Sequence, residues 1–408
     1  MRAIFVVAFV LALSACTRDL SSAPTLVPPS NVSARADGSG YSVLYSFYGG
    51  AGGYVPTTAL AALGGTLYGT TVYGGATATG AGCTRCGTVY AQTTGGTNKD
   101  IYRFSESGDA GITPRGDLVA AHGALYGTTE LGGRYKCSGN GCGAVYRVSP
   151  DGTEKTLYAF AGRSPGRTDG GNPRGGLVIG GNNGFYGTTS HGGAGFGTVF
   201  GITLDGDERV IYRFAGSPDD GDAPVGDLAK LNQTLYGVTE KGGAHNLGCI
   251  FEVTIKGTEK LLHSFNGDDG AEPAGGLVSS NETLYGVATF GGPHQRGVVF
   301  SITPSGQYHI VHAFRGSEGG DGAFPRSPPI LIYGTVMYGT THGGGSTGHG
   351  TIYQIDHHGK EAVIHSFGKA PDGELPVSKL FYYQQTLYGT TAHGGDHSGG
   401  TIFKLTPP

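Results

Sequence analysis

One tripeptide constrains this chain more than any other feature: an apolar residue followed by Tyr-Gly stands at seven positions spaced about fifty residues apart. The copies are Leu67-Tyr68-Gly69, Leu125-Tyr126-Gly127, Phe185-Tyr186-Gly187, Leu235-Tyr236-Gly237, Leu284-Tyr285-Gly286, Met337-Tyr338-Gly339 and Leu387-Tyr388-Gly389. A proline precedes each copy at a nearly fixed distance, at Pro56, Pro114, Pro173, Pro224, Pro273, Pro325 and Pro376. That constancy marks a fixed strand and turn between proline and tripeptide. A repeat of about fifty residues belongs to a radial or stacked array and not to one irregular core.

Two further segments complete the unit. After each tripeptide a glycine introduces an apolar run, as in Gly87-Thr88-Val89-Tyr90, Gly197-Thr198-Val199-Phe200, Gly297-Val298-Val299-Phe300 and Gly400-Thr401-Ile402-Phe403. A last run ends in Phe, from Leu44-Tyr45-Ser46-Phe47 and Ile101-Tyr102-Arg103-Phe104 through Ile364-His365-Ser366-Phe367. These are strands of four or five residues. We label the four strands of a unit a (from the proline), b (Leu-Tyr-Gly-Thr-Thr), c (Gly-Thr-Val-Phe) and d (Leu-Tyr-Ser-Phe). Four short strands per unit predict an all-β fold, a seven-bladed β-propeller with four antiparallel strands per blade. With 79 glycines and 14% charged residues, the chain is neither a helical protein nor a charged disordered one.

The phase of the repeat predicts how the ring closes. Residues 43–47 form a d strand with no a, b or c before it, whereas the final unit has a, b and c but no d. The N-terminal strand is therefore expected to complete the last blade and remove the open edge. The Asp-Gly pairs between d and a, such as Asp220-Gly221, Asp269-Gly270 and Asp321-Gly322, read as turns.

Leu67-Tyr68-Gly69-Thr70-Thr71 with Gly74-Gly75, Leu125-Tyr126-Gly127-Thr128-Thr129 with Gly132-Gly133, and Leu387-Tyr388-Gly389-Thr390-Thr391 with Gly394-Gly395 carry a family resemblance. The sequence resembles the tandem GloVer repeat proteins of bacteria, which have varied surface anchors, over roughly residues 41–408. The resemblance implies a surface-attached repeat domain and no defined catalytic residues. The strand b and double-glycine arrangement also resembles kelch propellers, although Phe replaces the tryptophan typical of kelch strand d.

The N-terminus predicts export. Arg2, an apolar run from Ile4 to Leu13 and then Leu13-Ser14-Ala15-Cys16 have the layout of a cleaved signal over residues 1–15, too short to span a bilayer. Leu-Ser-Ala-Cys resembles the lipobox of bacterial lipoproteins, which implies acylation of Cys16. Thr17 in place of Asp after that cysteine points to the outer membrane. Residues 16–40, rich in Ser, Pro, Ala and Thr, read as a flexible tether, leaving residues 41–408 for the propeller.

The b to c connections of the first two units are longer than the rest and hold Cys83, Cys86, Cys137 and Cys142. Export favours two local disulfides, while the paired spacing also permits a four-cysteine zinc site. Histidines populate the b to c loops at His191, His245, His294, His342, His349, His393 and His397, on the face shared with the d to a loops. They outline a ligand-binding face, with no recurring spacing that defines a metal site.

A net charge of −4 with no basic block excludes a phosphate-backbone partner, so nucleic acid is not expected. These features predict a monomeric, surface-anchored lipoprotein whose propeller is a non-catalytic module, needing no cofactor and binding a protein or glycan. The alternative is an envelope enzyme, a glycan lyase or hydrolase, with its site at the mouth of the central channel.

Overall fold

The computed structural model describes residues 40–408 except 76–82, 84, 107, 136, 138, 163–167, 182–183, 333, 335, 357 and 408. The expected signal, Cys16 and the tether to residue 39 lie outside the described residues. The domain is a β-propeller. Among the described residues its strands pair antiparallel in successive a, b, c, d groups, with no α-helix.

One group shows the plan. Gly221–Leu231 (a), Thr234–Gly242 (b), Cys249–Thr254 (c) and Glu259–Ser264 (d) pair antiparallel in that order, with Gly237 opposite Phe251 and Ile250 opposite His263. In most other groups strand a is split, as in Ile112–Pro114 and Val119–Ala121, or Gly373–Pro376 and Phe381–Tyr383. The break follows the repeat proline, which cannot donate to the ladder. The unpaired residues of the break are therefore available to face the axis.

Each junction between groups is an aromatic contact. The d-strand Phe of one group meets the c-strand ring of the next edge-on: Phe47 with Tyr90, Phe104 with Tyr146, Phe160 with Phe200, Phe214 with Phe251, Phe314 with Tyr353 and Phe367 with Phe403, centroids 5.0 to 5.3 Å apart. Phe265 and Phe300 are tilted at 5.5 Å. All seven d-strand phenylalanines have no exposed surface. Burying such a ring is worth roughly 1.5–3 kcal/mol, and an edge-to-face pair adds about 0.5–1.5 kcal/mol.

This packing explains the two glycines of the repeat. A Cβ on Gly237 would lie 2.5 Å from Phe251 Cζ and 2.8 Å from Leu228 Cδ2, so the Tyr-Gly glycine makes room for the c-strand ring. A Cβ on Gly248 would lie 2.5 Å from Cδ of Pro273 in the following group, and Gly248 has φ +93°. The same contact runs around the ring, from Gly87 on Pro114 to Gly400 on Pro56. The invariant proline of the repeat is thus a packing surface for the neighbouring group.

The ring closes through the chain ends as expected. Tyr41–Ser46 pairs antiparallel with Thr401–Leu405, Val43 lying opposite Phe403, and the Phe47 amide donates to Gly400 O at 2.9 Å.

Candidate functional site

The residues that follow the seven repeat prolines, Thr57, Arg115, Arg174, Val225, Ala274, Arg326 and Val377, all line one cavity of about 310 Å³. Because one residue from every group contributes, the cavity is the central channel. Asp117, Asp227 and Lys379 also line it, and each lies three residues after its proline. The other groups carry Ala59, Gly176, Gly276 and Pro328 there. Small residues on four sides leave room for three long polar side chains to meet.

They meet at Lys379 Nζ, which lies 2.7 Å from Asp227 Oδ2 and 3.2 Å from Asp117 Oδ2. Backbone amides fix the other carboxylate oxygens. Ala59 N donates to Asp117 Oδ1 at 2.7 Å, and Gly176 N donates to Asp227 Oδ1 at 2.8 Å. The three side chains retain only 18 to 24% of their exposure.

The two carboxyl groups are driven apart in proton affinity. Burial, followed by the negative charge of Asp227, pushes Asp117 up to about 6 against the pull of Lys379. Burial acts the same way on Asp227, but the ammonium charge and hydrogen bond of Lys379 outweigh it and hold Asp227 below the usual carboxylate range. Burial also disfavours the Lys379 charge, yet the two carboxylates keep it more firmly protonated than a free lysine. A carboxyl that titrates near neutrality beside one that stays ionised is an arrangement suited to proton transfer.

Arginines surround this cluster. Glu130 receives Arg115 Nε at 2.6 Å and Arg174 Nε at 2.8 Å, and Glu240 lies 3.4 Å from Arg174 Nη1. Arg326 lines the same cavity and makes no ion pair among the described residues.

The sequence-predicted residues behave differently. Cys83 is bonded to Cys86 and Cys137 to Cys142, so these four thiols do not form the zinc site considered above. The seven loop histidines do not converge: His245, His294, His393 and His397 are exposed, His191 Nδ1 bonds Ser190 Oγ at 2.9 Å, and His349 faces Glu374 at 3.5 Å. His342 is half-buried. Burial, then the charges of Arg326 and His393, lower it to about 4, so it is neutral at physiological pH. None of the seven belongs to a metal-sized cluster of ligand atoms among the described residues.

Asp117, Asp227 and Lys379 were missed by motif reading because they lie in three different groups. The signal that finds them is positional: a charged residue at a repeat position that is elsewhere small or proline.

Comparisons with known proteins correct a second expectation. No curated protein matches the chain in sequence. Among solved structures it is similar to the gluconolactonase XC5397 of Xanthomonas campestris, at 14% identity and TM-score 0.44, covering 90% of this chain and 89% of that one. It is also similar to a putative 6-phosphogluconolactonase of Bacteroides uniformis, at 14% identity and TM-score 0.48 over 77% and 84%. The periplasmic gluconolactonase PpgL of Pseudomonas aeruginosa matches at 12% identity and TM-score 0.46 over 79% and 92%. At such identities the shared property is the propeller fold, and these neighbours are not specifically kelch-like. All three are described as lactonases, one of them putative, which runs against the expectation of a non-catalytic module; the likeness itself is one of fold. The family model described as the Gloeobacter/Verrucomicrobia repeat matches residues 138–336, and over that span the chain carries this repeat.

Proposed function

We propose that the chain is a hydrolase of the bacterial envelope that opens an ester or lactone of a small acidic carbohydrate in the central channel. The observation that carries this reading is the contact of Asp117 and Asp227 with one ammonium group, Lys379 Nζ, at 3.2 and 2.7 Å. In its ionised form Asp117 takes a proton from the water that attacks the acyl carbon. The protonated Lys379, held by Asp227, donates to the carbonyl oxygen as negative charge develops there. Asp117 then returns its proton to the departing alkoxide, so each group ends as it began. The cavity of about 310 Å³ suits a small polar substrate, and Arg326 supplies the charge that would hold its carboxylate.

Export and anchoring through acylated Cys16 complete the proposal and rest on Leu13-Ser14-Ala15-Cys16. Thr17 after the cysteine supports the outer membrane as the destination. Cys16→Ala should leave an unprocessed, unlabelled chain when cells are grown with radiolabelled fatty acid; unchanged labelling would refute the anchor.

The activity is tested by offering the purified protein a panel of sugar lactones, uronate esters and acidic oligosaccharides between pH 5 and 9. Turnover should rise with pH through about 6, where Asp117 ionises, and Asp117→Asn should lower it at least 100-fold. No turnover of any panel member, or turnover indifferent to that substitution, refutes the hydrolase reading.

A further inference from the structure

Outside the channel, a second kind of polar cluster recurs at the junctions between strand groups. A d-strand side chain reaches the Asp of the following turn, and a Glu that opens the next d strand closes over both. Two junctions use tyrosine: Tyr158 donates to Asp169 at 2.5 Å beside Glu208, and Tyr212 donates to Asp220 at 2.8 Å and Glu259 at 3.5 Å. At a third junction the tyrosine is replaced by His312, whose Nε2 lies 2.9 Å from Asp321 Oδ2.

We propose that His312, Asp321 and Glu361 form a site for one divalent first-row metal ion, which would pin two adjacent strand groups together. One imidazole nitrogen and one oxygen from each carboxylate lie within 4.8 Å of one another, the spread expected of ligands that share an ion. Imidazole with two carboxylates is a donor set that suits zinc and its neighbours. Two independent features point the same way. Like Glu208 Oε1 and Glu259 Oε1 at the tyrosine junctions, Glu361 Oε1 is buried and has no hydrogen-bond partner, but of the three only Glu361 closes over an imidazole nitrogen. Asp321 is 6% exposed and already oriented, since the Gly322 amide donates to Oδ1 at 2.6 Å and the Arg315 amide to Oδ2 at 3.0 Å. That is the supporting shell a ligating carboxylate needs. The tyrosine junctions have the same geometry without the nitrogen, so the molecule contains its own control.

The test is zinc uptake by the whole purified chain, stripped with chelator, kept non-reducing so that the two disulfides persist, and dialysed against micromolar zinc. Elemental analysis should find one zinc per chain, and zinc should raise the melting temperature. His312→Tyr, which recreates the sister junctions, should lose that zinc and that rise while melting like the parent in chelator. Glu361→Gln gives an independent check should His312→Tyr fold poorly, and should lose at least tenfold in affinity. Absence of stoichiometric zinc in the parent, or uptake unaltered by both substitutions, overturns the site.

Discussion

The hydroxyl of Tyr41 donates to Asp372 Oδ1 at 2.5 Å, joining two residues 331 apart in sequence. Tyr41 also stacks on His365 at 3.7 Å, and His365 Nε2 bonds the same carboxylate at 3.0 Å. The strand Tyr41–Ser46 is thus locked into a junction otherwise built entirely from the C-terminal end of the chain.

Closure therefore depends on a few N-terminal residues. Deleting residues 41–47 would expose the ladder of Thr401–Leu405 and uncover Tyr90, the partner of Phe47. We expect the variant to lose a single cooperative melt and to aggregate through the open edge. The milder Tyr41→Phe should cost about 1.5–3 kcal/mol, the usual worth of a hydrogen bond to a charged group. Chemical denaturation measures both; an unchanged midpoint in the deletion would mean that the ring is held shut elsewhere.

A second prediction concerns hydroxyl groups with nowhere to bond. The c-strand ring is Phe at positions 200, 251, 300 and 403, but Tyr at 90, 146 and 353. In those three the hydroxyl is buried without a partner. Packing needs only the ring, and desolvating an unpaired hydroxyl is unfavourable. Tyr353→Phe should therefore stabilise the domain by about 1–2 kcal/mol. A loss of stability on denaturation would show that the hydroxyl has a bonding role.

These rings also show how much the sequence disclosed. The seven Tyr-Gly copies, their prolines and their c-strand glycines announced the repeat because each answers a contact made again in every group, such as Gly237 beneath Phe251, or at every junction, such as Gly248 on Pro273. A contact repeated around a ring leaves a periodic trace. The channel cluster leaves none, since Asp117, Asp227 and Lys379 are the residues that break the period. The loop histidines recur in glycine-rich loops that accept them and share no metal-sized cluster of ligand atoms among the described residues.

Acidity provides a third prediction. Burial, then the charge of Asp169, pushes Glu208 up to about 7, with Tyr158 and Arg213 pulling the other way. Burial, then Asp220, raises Glu259 to about 7, aided by Glu252 and opposed by Tyr212. Both folded values lie above those of an unfolded glutamate, so the folded state binds more protons. The stabilisation is complete below about pH 4.5 and is lost as pH rises through 7. Asp117, raised to about 6, acts in the same direction. The melting temperature should accordingly fall between pH 5 and 8, and Glu208→Gln with Glu259→Gln should flatten that slope. A flat profile in the parent protein would mean that these groups are ionised throughout.

The last prediction separates the structural from the chemical role of Lys379. Replacing it with Met removes the one charge that both channel carboxylates bond, at 2.7 and 3.2 Å. Breaking a buried pair typically costs about 3–5 kcal/mol because an uncompensated charge remains. Here the chain has an escape, since Asp117 already titrates at about 6 and would stay protonated to higher pH without the ammonium. The loss should therefore be largest in alkaline buffer and shrink toward pH 5. Adding Asp117→Asn to Lys379→Met supplies a permanently neutral side chain, and the pair should lose less stability than the two single substitutions combined. If Lys379→Met destabilises equally at pH 5 and pH 9, the carboxyl does not change its proton in response to the lysine, and the coupling on which the proposed chemistry rests is absent.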